Sequence, residues 1–296
     1  MKKVLIISYY WPPSGGSGVQ RWLKHVKYLR EYNWEPIVFT ADNGEVPVLD
    51  PDLEKDIPEN IEVIRFPIWE PYKFYKKFTG KKQSERFGPG LISRASRGGF
   101  LDRLSLFIRG NFFIPDARMF WIRPSVKYIR EYLNKNHIDA IISTGPPHTT
   151  HMIGLQIKRS SNIPWISDFR DPWTKIDFYK KLKLTKWADR KHHNFEAQVI
   201  NNSDKVVTVS WKWSDDFNKK YNRDIEVITN GYDSEDFNGL NIELSEKFNI
   251  SYCGVIKENQ NPVALWRALD EICQSNPKFK ELLRIDVIGS CDEKII

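Results

Sequence analysis

The sequence has few of the features that mark secreted, metal-binding or membrane-spanning proteins. It has only three cysteines in 296 residues, and Cys253, Cys273 and Cys291 lack the spacing of a metal site. We expect them to be reduced thiols. No apolar run is long enough to span a bilayer, and the short run after Met1 has no cleavage site of a signal peptide. These features predict a cytoplasmic protein, with peripheral binding at the inner membrane face as a further hypothesis.

Acidic residues are outnumbered, since 45 Lys and Arg stand against 38 Asp and Glu, for a net charge of +7. Such a balance favours an anionic partner: phosphate, an acidic membrane face or nucleic acid. The excess is concentrated in residues 70–125, where twelve basic residues face four acidic ones and aromatics are interleaved. Two interpretations of this insertion stay open, a solvated basic face and a surface for anionic lipid. No nucleic-acid-binding motif is present, so nucleic acid is not a predicted partner.

Short apolar runs rich in β-branched residues alternate with amphipathic helical stretches along most of the chain. The first strand is predicted at Lys3–Ser8 and the first helix at Val19–Tyr32. This rhythm predicts an α/β fold with a Rossmann-like parallel sheet, which binds ligands at the carboxyl ends of its strands. A turn-rich stretch follows, and then a fresh strand-helix-strand unit. We therefore predict one domain at 1–230, and a linker with an incomplete second domain at 231–296.

A glycine-rich loop follows the first strand, in the stretch "SYYWPPSGGSGVQRW". Six residues separate the strand from Gly15, and Arg21 occupies the place of the third glycine in a dinucleotide fingerprint. This spacing argues against a nicotinamide cofactor. Backbone N–H groups at a helix start still form an anion site, and glycines allow close approach to a ligand. We predict that Gly15, Gly16 and Ser17 contact an anion or a sugar.

Two further polar motifs end predicted strands and are candidate parts of the same site. "STGPPHTTH" and "SDFRDPW" each combine turn residues with charged or hydroxyl side chains at a strand end. The carboxylates of the second motif suit sugar hydroxyls, and its arginine suits a phosphate or carboxylate. An internal ion pair and structural histidines are the alternative interpretation. The candidates are Thr144, Gly145, His148, His151, Asp168, Arg170 and Asp171. His192, His193 and Glu196, on a later predicted helix, are interpreted as surface or packing residues.

These motifs, in this order, resemble those of glycosyltransferases of family 4, which have the GT-B fold. The stretches "IPDARMFWIRPSVKYI", "SDKVVTVS" and "VITNGYDSEDF" extend the resemblance through nearly the whole chain. The likeness is to bacterial enzymes of surface-polysaccharide synthesis. It implies an N-terminal domain for the acceptor and a C-terminal domain for most of a nucleotide-sugar donor. It also implies transfer with retention to a lipid-linked or glycan acceptor, with no cofactor and no metal.

The motifs and the resemblance together suggest roles for individual residues. Donor or acceptor binding falls to Gly15, Gly16, Ser17, Thr144, Gly145, Arg170 and Asp171. The same role falls to Asn230, Gly231, Gly254 and Lys257. Catalytic roles fall to His148, His151 and Asp168, although the family's cleft histidine comes directly at the fourth strand end, where Ser143 and Thr144 stand here.

The donor side departs further from the family pattern. Gln260 stands where related sequences often have Arg, and the family's pair of glutamates would lie beyond Ile296. We therefore expect this chain by itself to lack a complete donor site. The alternative from another class is a non-catalytic relative that binds a membrane or a partner protein. A nicotinamide-dependent dehydrogenase is the less favoured third hypothesis.

Overall fold

The fold is described from a computed structural model. It describes residues 1–46, 48–70, 100–176, 179–239, 241, 243–256, 258–292 and 295. Most of the basic insertion predicted at 70–125 therefore lies outside the described residues, as does Lys257. The chain divides into two compact units, Met1–Asp233 and Ser234–Ile296.

The first unit is built on a seven-stranded sheet in which every neighbouring pair of strands is parallel. The strand order is β3-β2-β1-β4-β5-β6-β7. The strands are β1 Lys2–Ile7, β2 Trp34–Ala41, β3 Glu62–Phe66, β4 Ala140–Gly145, β5 Trp165–Phe169, β6 Lys205–Thr208 and β7 Glu226–Val227. The described helices of this unit are α1 Ser17–Leu29, α2 Phe100–Phe112, α3 Ile122–Leu133, α4 Thr149–Lys158, α5 Lys186–Asn202 and α6 Trp211–Tyr221.

Alternate side chains of β1 enter two separate cores, one on each face of the sheet. Leu5 and Ile7 belong to the larger cluster with residues of α3 and α4, whereas Val4 and Ile6 pack with α1. A strand covered by helices on both faces needs apolar side chains at every position. This explains why "VLII" is continuous rather than alternating, and it makes the carboxyl ends of the strands the open edge of the unit.

The second unit pairs β8 Phe248–Ile256 with β9 Leu283–Cys291 in parallel. The helices α7 Val263–Ser275 and α8 Pro277–Leu282 form the connection between these strands. The predicted fold class, a Rossmann-like parallel sheet followed by a further β-α-β unit, is thus confirmed. Cys253, Cys273 and Cys291 are free thiols. None of the described helices is long and apolar enough to cross a bilayer.

Gly154 in α4 supplies a test of the core packing. A Cβ at this position would lie 2.5 Å from Nε1 of Trp165, whose side chain is completely buried. Overpacking a rigid core costs typically 1–3 kcal/mol, so we expect Gly154→Ala to lower the free energy of unfolding by about that much. Denaturant unfolding followed by tryptophan fluorescence measures it. Gly231→Ala, with no atom within 4 Å of its Cβ, is the control, and equal stability of the two variants would contradict the packing.

Candidate functional site

The three predicted motifs follow strands that are neighbours in the sheet. β1 pairs with β4, and β4 pairs with β5, all in parallel. Their carboxyl ends therefore open at one edge, and the loops after them lie side by side. The glycine loop, the "GPPHTTH" motif and the "DFRDPW" motif thus form one candidate site in the first unit.

In the glycine loop, Gly15 is hydrogen-bonded within the protein, whereas Gly16 is exposed to solvent. The Gly15 N–H donates to the carbonyl of Val48 at 3.0 Å, so this amide has a partner within the protein. Gly16 is exposed, and its φ of 100° belongs to the region that favours glycine. It is the N-cap of α1, and no side chain caps the helix there. The first N–H groups of α1 lack intrahelical partners, and Ser17 opens that turn.

The side chain of Arg170, in the loop after β5, packs against the first turn of α1 and contacts Gly18 directly. A Cβ at Gly18 would be 1.6 Å from Arg170 Nη1, so a glycine is needed at this position. The guanidinium also donates from Nη2 to the carbonyl of Pro146 at 3.4 Å, and its Nε lies 3.6 Å from the Asp171 carboxylate. Arg170 therefore joins all three loops, with its positive charge next to the positive end of the helix dipole.

Asp168 is a buried anchor at the end of β5. Its carboxylate accepts from Arg21 Nε at 3.3 Å and from Arg21 Nη2 at 3.1 Å. It also accepts from the indole N–H of Trp22 at 2.7 Å and from the Thr144 hydroxyl at 2.9 Å. The Arg21 and Asp168 side chains are 2% and 1% exposed. Both carboxylate oxygens are thus engaged by α1 and by the neighbouring strand end.

The third nitrogen of Arg21 fixes a distant part of the chain. Arg21 Nη1 donates to the carbonyl of Thr229 at 3.3 Å and to Oδ1 of Asn230 at 3.1 Å. Asn230 thereby reaches the candidate site, whereas Gly231, also predicted as a site residue, is exposed and has no atom within 4 Å of its Cβ position. The buried Asp233 carboxylate completes the attachment to α1 by accepting from Lys24, Lys27 and Tyr28, each at 2.8 Å.

His151, in α4, is completely buried and contacts Ser143 of β4 and Phe169 of β5. Its Nδ1 is 2.9 Å from the Ser143 hydroxyl, which accepts from the Trp165 indole at 3.0 Å. Because the Ser143 oxygen can accept a second hydrogen bond, the direction of this contact is set by the tautomer of the His151 ring. Burial lowers the pKa of His151 to about 3, although the Asp168 charge raises it. The imidazole is therefore neutral at physiological pH.

His148 is buried in a stack of aromatic rings. Its ring lies 4.4 Å from that of Trp173 at an interplanar angle of 3°. Burial lowers its pKa well below the usual value, and the positive charge of Arg170 lowers it further. Trp173 donates to Nδ1 of His192 at 3.1 Å, which places the His192 proton on Nε2, 3.4 Å from the carbonyl of Gly110. His192 is thus a packing residue.

Gly145 covers both candidate histidines. A Cβ on this glycine would lie 2.6 Å from His151 Nε2 and 3.2 Å from His148 Nδ1. Within the part of the chain that the structure describes, neither of these two nitrogens has a hydrogen-bond partner. Both histidine rings therefore pack against the buried side of the Gly145 backbone. In the same described part, no group of three His, Cys, Asp or Glu side chains is placed to hold a metal ion.

The structure brings in residues that the sequence motifs contained but did not single out. Gly18 makes room for Arg170, and Arg21 and Trp22 hold Asp168. Their only local signal is the continuation of the glycine loop into "SGVQRW". Gly254 lies in the second unit, on β8 opposite Gly289 of β9, and Lys257 is outside the described residues.

The family model for Glycosyltransferase Family 4 matches residues 90–236, about half of the chain, including the second and third motifs. The matched part of the chain belongs to glycosyltransferase family 4. No curated protein sequence matches it significantly.

Solved structures with low sequence identity share the fold of this glycosyltransferase. TarM matches with a TM-score of 0.53 at 9% identity, over 99% of this chain and 72% of that one. The UDP-forming α,α-trehalose-phosphate synthase from Burkholderia vietnamiensis matches with a TM-score of 0.51 at 10% identity, over 99% of this chain. This chain spans 64% of the length of that synthase, less than two thirds. Such likenesses establish the fold and leave the substrates to the site itself.

The Arg21–Asp168 pair gives a direct test of the anchor. Asp168→Asn keeps the shape but leaves the Arg21 charge buried without its partner, which costs typically 3–5 kcal/mol. We expect the free energy of unfolding to fall by about that amount in chemical denaturation. Asp171→Asn makes the same chemical change on a side chain that is 35% exposed and serves as the control. A loss at Asp168 no larger than the loss at Asp171 would contradict the anchor role.

The buried histidines predict how stability changes with pH. The pKa of His151 is about 3 in the folded chain against 6.5 for an ordinary histidine, so the unfolded chain takes up the proton first as the pH falls. Folding stability is therefore lost from about pH 6.5 downward, by about 2 kcal/mol at pH 5 for this residue. We expect His151→Gln to flatten the pH dependence of the unfolding free energy. His137→Gln makes the same change at an exposed imidazole and serves as the reference variant. An unchanged slope in His151→Gln would refute the assignment.

Proposed function

We propose that this glycosyltransferase moves a sugar, with retention of configuration, from a nucleotide-sugar donor to a lipid-linked or glycan acceptor in polysaccharide synthesis. The observation that carries the proposal is the placement of the Arg170 guanidinium on Gly18, in the first turn of α1. Two positive features meet at this point: the guanidinium, which has the Asp171 carboxylate 3.6 Å from its Nε, and a helix start whose first turn has no acidic residue. An anion between them is stabilised by both.

The phosphates of a sugar nucleotide fit this chemistry. A leaving diphosphate gains negative charge as the glycosidic bond breaks, and preorganised N–H donors stabilise such charge where it develops. Arg170 offers a planar fork of donors, and Gly16 leaves the helix start open to solvent. In the proposed mechanism, Arg170 and the first N–H groups of α1 bind the diphosphate, and the acceptor binds at the same edge of the first unit.

We assign positioning roles to the three residues predicted as catalytic. His148, His151 and Asp168 are 8%, 0% and 1% exposed, so their side chains do not reach a substrate at the surface of the site. The histidines lie under the backbone of Gly145, and Asp168 fixes the orientation of α1 through Arg21 and Trp22. These three side chains then hold Arg170, Gly145 and the start of α1 in fixed positions relative to one another.

The division of labour between the units is part of the same proposal. We assign the acceptor to the first unit, Met1–Asp233, and the larger part of the donor to the C-terminal side, where the second unit, Ser234–Ile296, lies. The lipid-linked acceptor is supported by the basic character of residues 70–125 and by the net charge of +7. A polyprenyl or other lipid carrier lies in an anionic membrane, which attracts a basic protein.

Sugar transfer tests the proposal. The protein, expressed from its complete reading frame, is incubated with membranes and a panel of radiolabelled nucleotide sugars. We expect label in the butanol-extractable lipid or in glycan, with the anomeric configuration of the donor kept. Release of free sugar alone with every donor, or an inverted product, would contradict the proposed reaction.

Arg170 and Gly18 provide a matched pair of variants for the diphosphate site. Arg170→Ala removes the charge, and Gly18→Ala displaces the guanidinium without removing it, because the new Cβ takes its place. We expect both to weaken binding of a nucleoside diphosphate by at least about tenfold, the loss of one charge-assisted contact. Calorimetric titration measures this, with Gln20→Ala, on an exposed position of α1, as the control. Wild-type affinity in Gly18→Ala would exclude the proposed contact.

A further inference from the structure

Helix α2 carries a row of large apolar side chains on its exposed side. Leu104, Phe107 and Ile108 follow the i, i+3, i+4 spacing of one helix face and are 41%, 36% and 40% exposed. Phe112, the last residue of the helix, is 67% exposed. These four residues are called the α2 patch. Contiguous apolar surface of this kind marks a site of interaction.

The opposite side of α2 is fixed to the protein, so the α2 patch has a defined orientation. Leu106 is buried, and a Cβ on Gly110 would lie 2.7 Å from Leu184. Asn111 accepts from the backbone N–H of Thr185 at 2.7 Å and donates to the carbonyl of Lys183 at 3.4 Å. The helix is thus held against the segment that precedes α5.

That same segment is rich in lysine. The stretch "YKKLKLTKW" (residues 179–187) packs on α2 through Leu182 and Leu184, and its lysines are exposed. It ends at Trp187, whose side chain is 61% exposed. The lysines are Lys180, Lys181, Lys183 and Lys186, and together with Trp187 they are called the lysine rim.

Aromatic rings extend the apolar surface beyond the end of α2. Phe113 lies 6.2 Å from Phe120 between ring centroids, and Phe120 packs edge-to-face on Trp69 at 4.8 Å. Phe120 and Trp69 are 45% and 53% exposed. Aromatic side chains with lysines beside an apolar helix face are typical of proteins that bind at the headgroup level of a bilayer.

We propose that the α2 patch and the lysine rim form a docking surface for a bilayer that contains anionic phospholipid. The apolar side chains enter the headgroup–acyl boundary, while the lysines contact lipid phosphates. This inference deepens the proposed function, on which its biological role rests, because it names the face of the first unit that meets the membrane of a lipid-linked acceptor. It places part of the surface at residues 179–187, outside the basic insertion that the sequence indicated.

Charge favours lipid over a second copy of the chain as the occupant. Two copies that joined their α2 patches would bring their lysine rims together, and like charges at short range oppose association. An anionic bilayer neutralises the same lysines and accepts the apolar face at once.

A continuous set of contacts joins the docking surface to the candidate site. The Gly110 carbonyl of α2 faces His192, which accepts from Trp173, and Trp173 stacks on His148 beneath the site. Only three side chains thus separate the backbone of α2 from Gly145.

Vesicle flotation with the full chain tests the proposal. Wild-type protein is mixed with vesicles of phosphatidylcholine alone or of phosphatidylcholine with phosphatidylglycerol, at low and at high salt. We expect binding to the anionic vesicles only, weakened by salt. Phe107→Ser/Ile108→Ser and Lys180→Glu/Lys186→Glu should each lower the partition coefficient by at least about tenfold.

Two control variants match these changes elsewhere on the first unit. Trp211→Ser removes an aromatic side chain that is 72% exposed on α6, and Lys212→Glu/Lys219→Glu reverses the same number of charges on that helix. Both should bind as wild type does. Thermal unfolding of each variant confirms that it is folded, and a variant that is unfolded is replaced by Phe112→Ser or Lys183→Glu.

The outcomes separate this proposal from its rivals. Equal binding to neutral and anionic vesicles, or wild-type binding by both docking variants, would overturn it. A dimer in gel filtration that Phe107→Ser/Ile108→Ser dissociates, without vesicle binding, would assign the surface to a second copy instead. Nucleoside diphosphate binding should be unchanged in the docking variants. A variant that loses vesicle binding but binds the diphosphate normally therefore tests the docking surface alone. If wild-type protein fails to bind the diphosphate, that result counts against the proposed reaction and not against the docking surface.

Discussion

The buried ion pair between Arg21 and Asp168 is the constraint on which the candidate site depends. It joins α1 to the end of β5, and through Thr144 and Asn230 it reaches β4 and the last segment of the first unit. An ion pair this deeply buried is costly unless its remaining hydrogen bonds are satisfied, and here Trp22, Thr144 and Thr229 satisfy them. The start of α1 is thereby fixed beside Arg170. A loose α1 would leave the guanidinium without a defined partner and the glycine loop without a fixed direction.

The sheet could be predicted from sequence because its determinants are local. Continuous apolar strands, amphipathic helices and turn residues at strand ends identified the Rossmann-like fold, and they placed three motifs at one edge. The contacts inside the site could not be predicted in the same way. Asp168 meets Arg21 across 147 positions of the chain, and nothing in the spacing of either motif specifies that pairing. His148 and His151 were natural catalytic candidates in sequence, but only the packing of Trp173 and Phe169 around them shows that both are buried.

Charge has two distinct functions in this account. Inside the site, Arg170 is held next to the start of α1. A bound diphosphate would relieve the repulsion between the guanidinium and the positive end of the helix dipole. On the outside, the lysines of residues 179–187 are unremarkable in sequence, since a short run of lysine is usually a solvated turn. Their position against α2 is what indicates a function. The apolar side chains of α2 are exposed, while its other face is fixed by Gly110 and Asn111. Position in the fold, rather than composition, separates the two uses.

The central claim is that Arg170 and the first turn of α1 together bind the diphosphate of the donor. A crystal structure of the protein in complex with a nucleotide sugar tests it most directly. We expect density for the diphosphate within hydrogen-bond distance of the Arg170 guanidinium and of the backbone N–H groups at Ser17 and Gly18. A bound nucleotide whose phosphates contact neither Arg170 nor the start of α1 would contradict it.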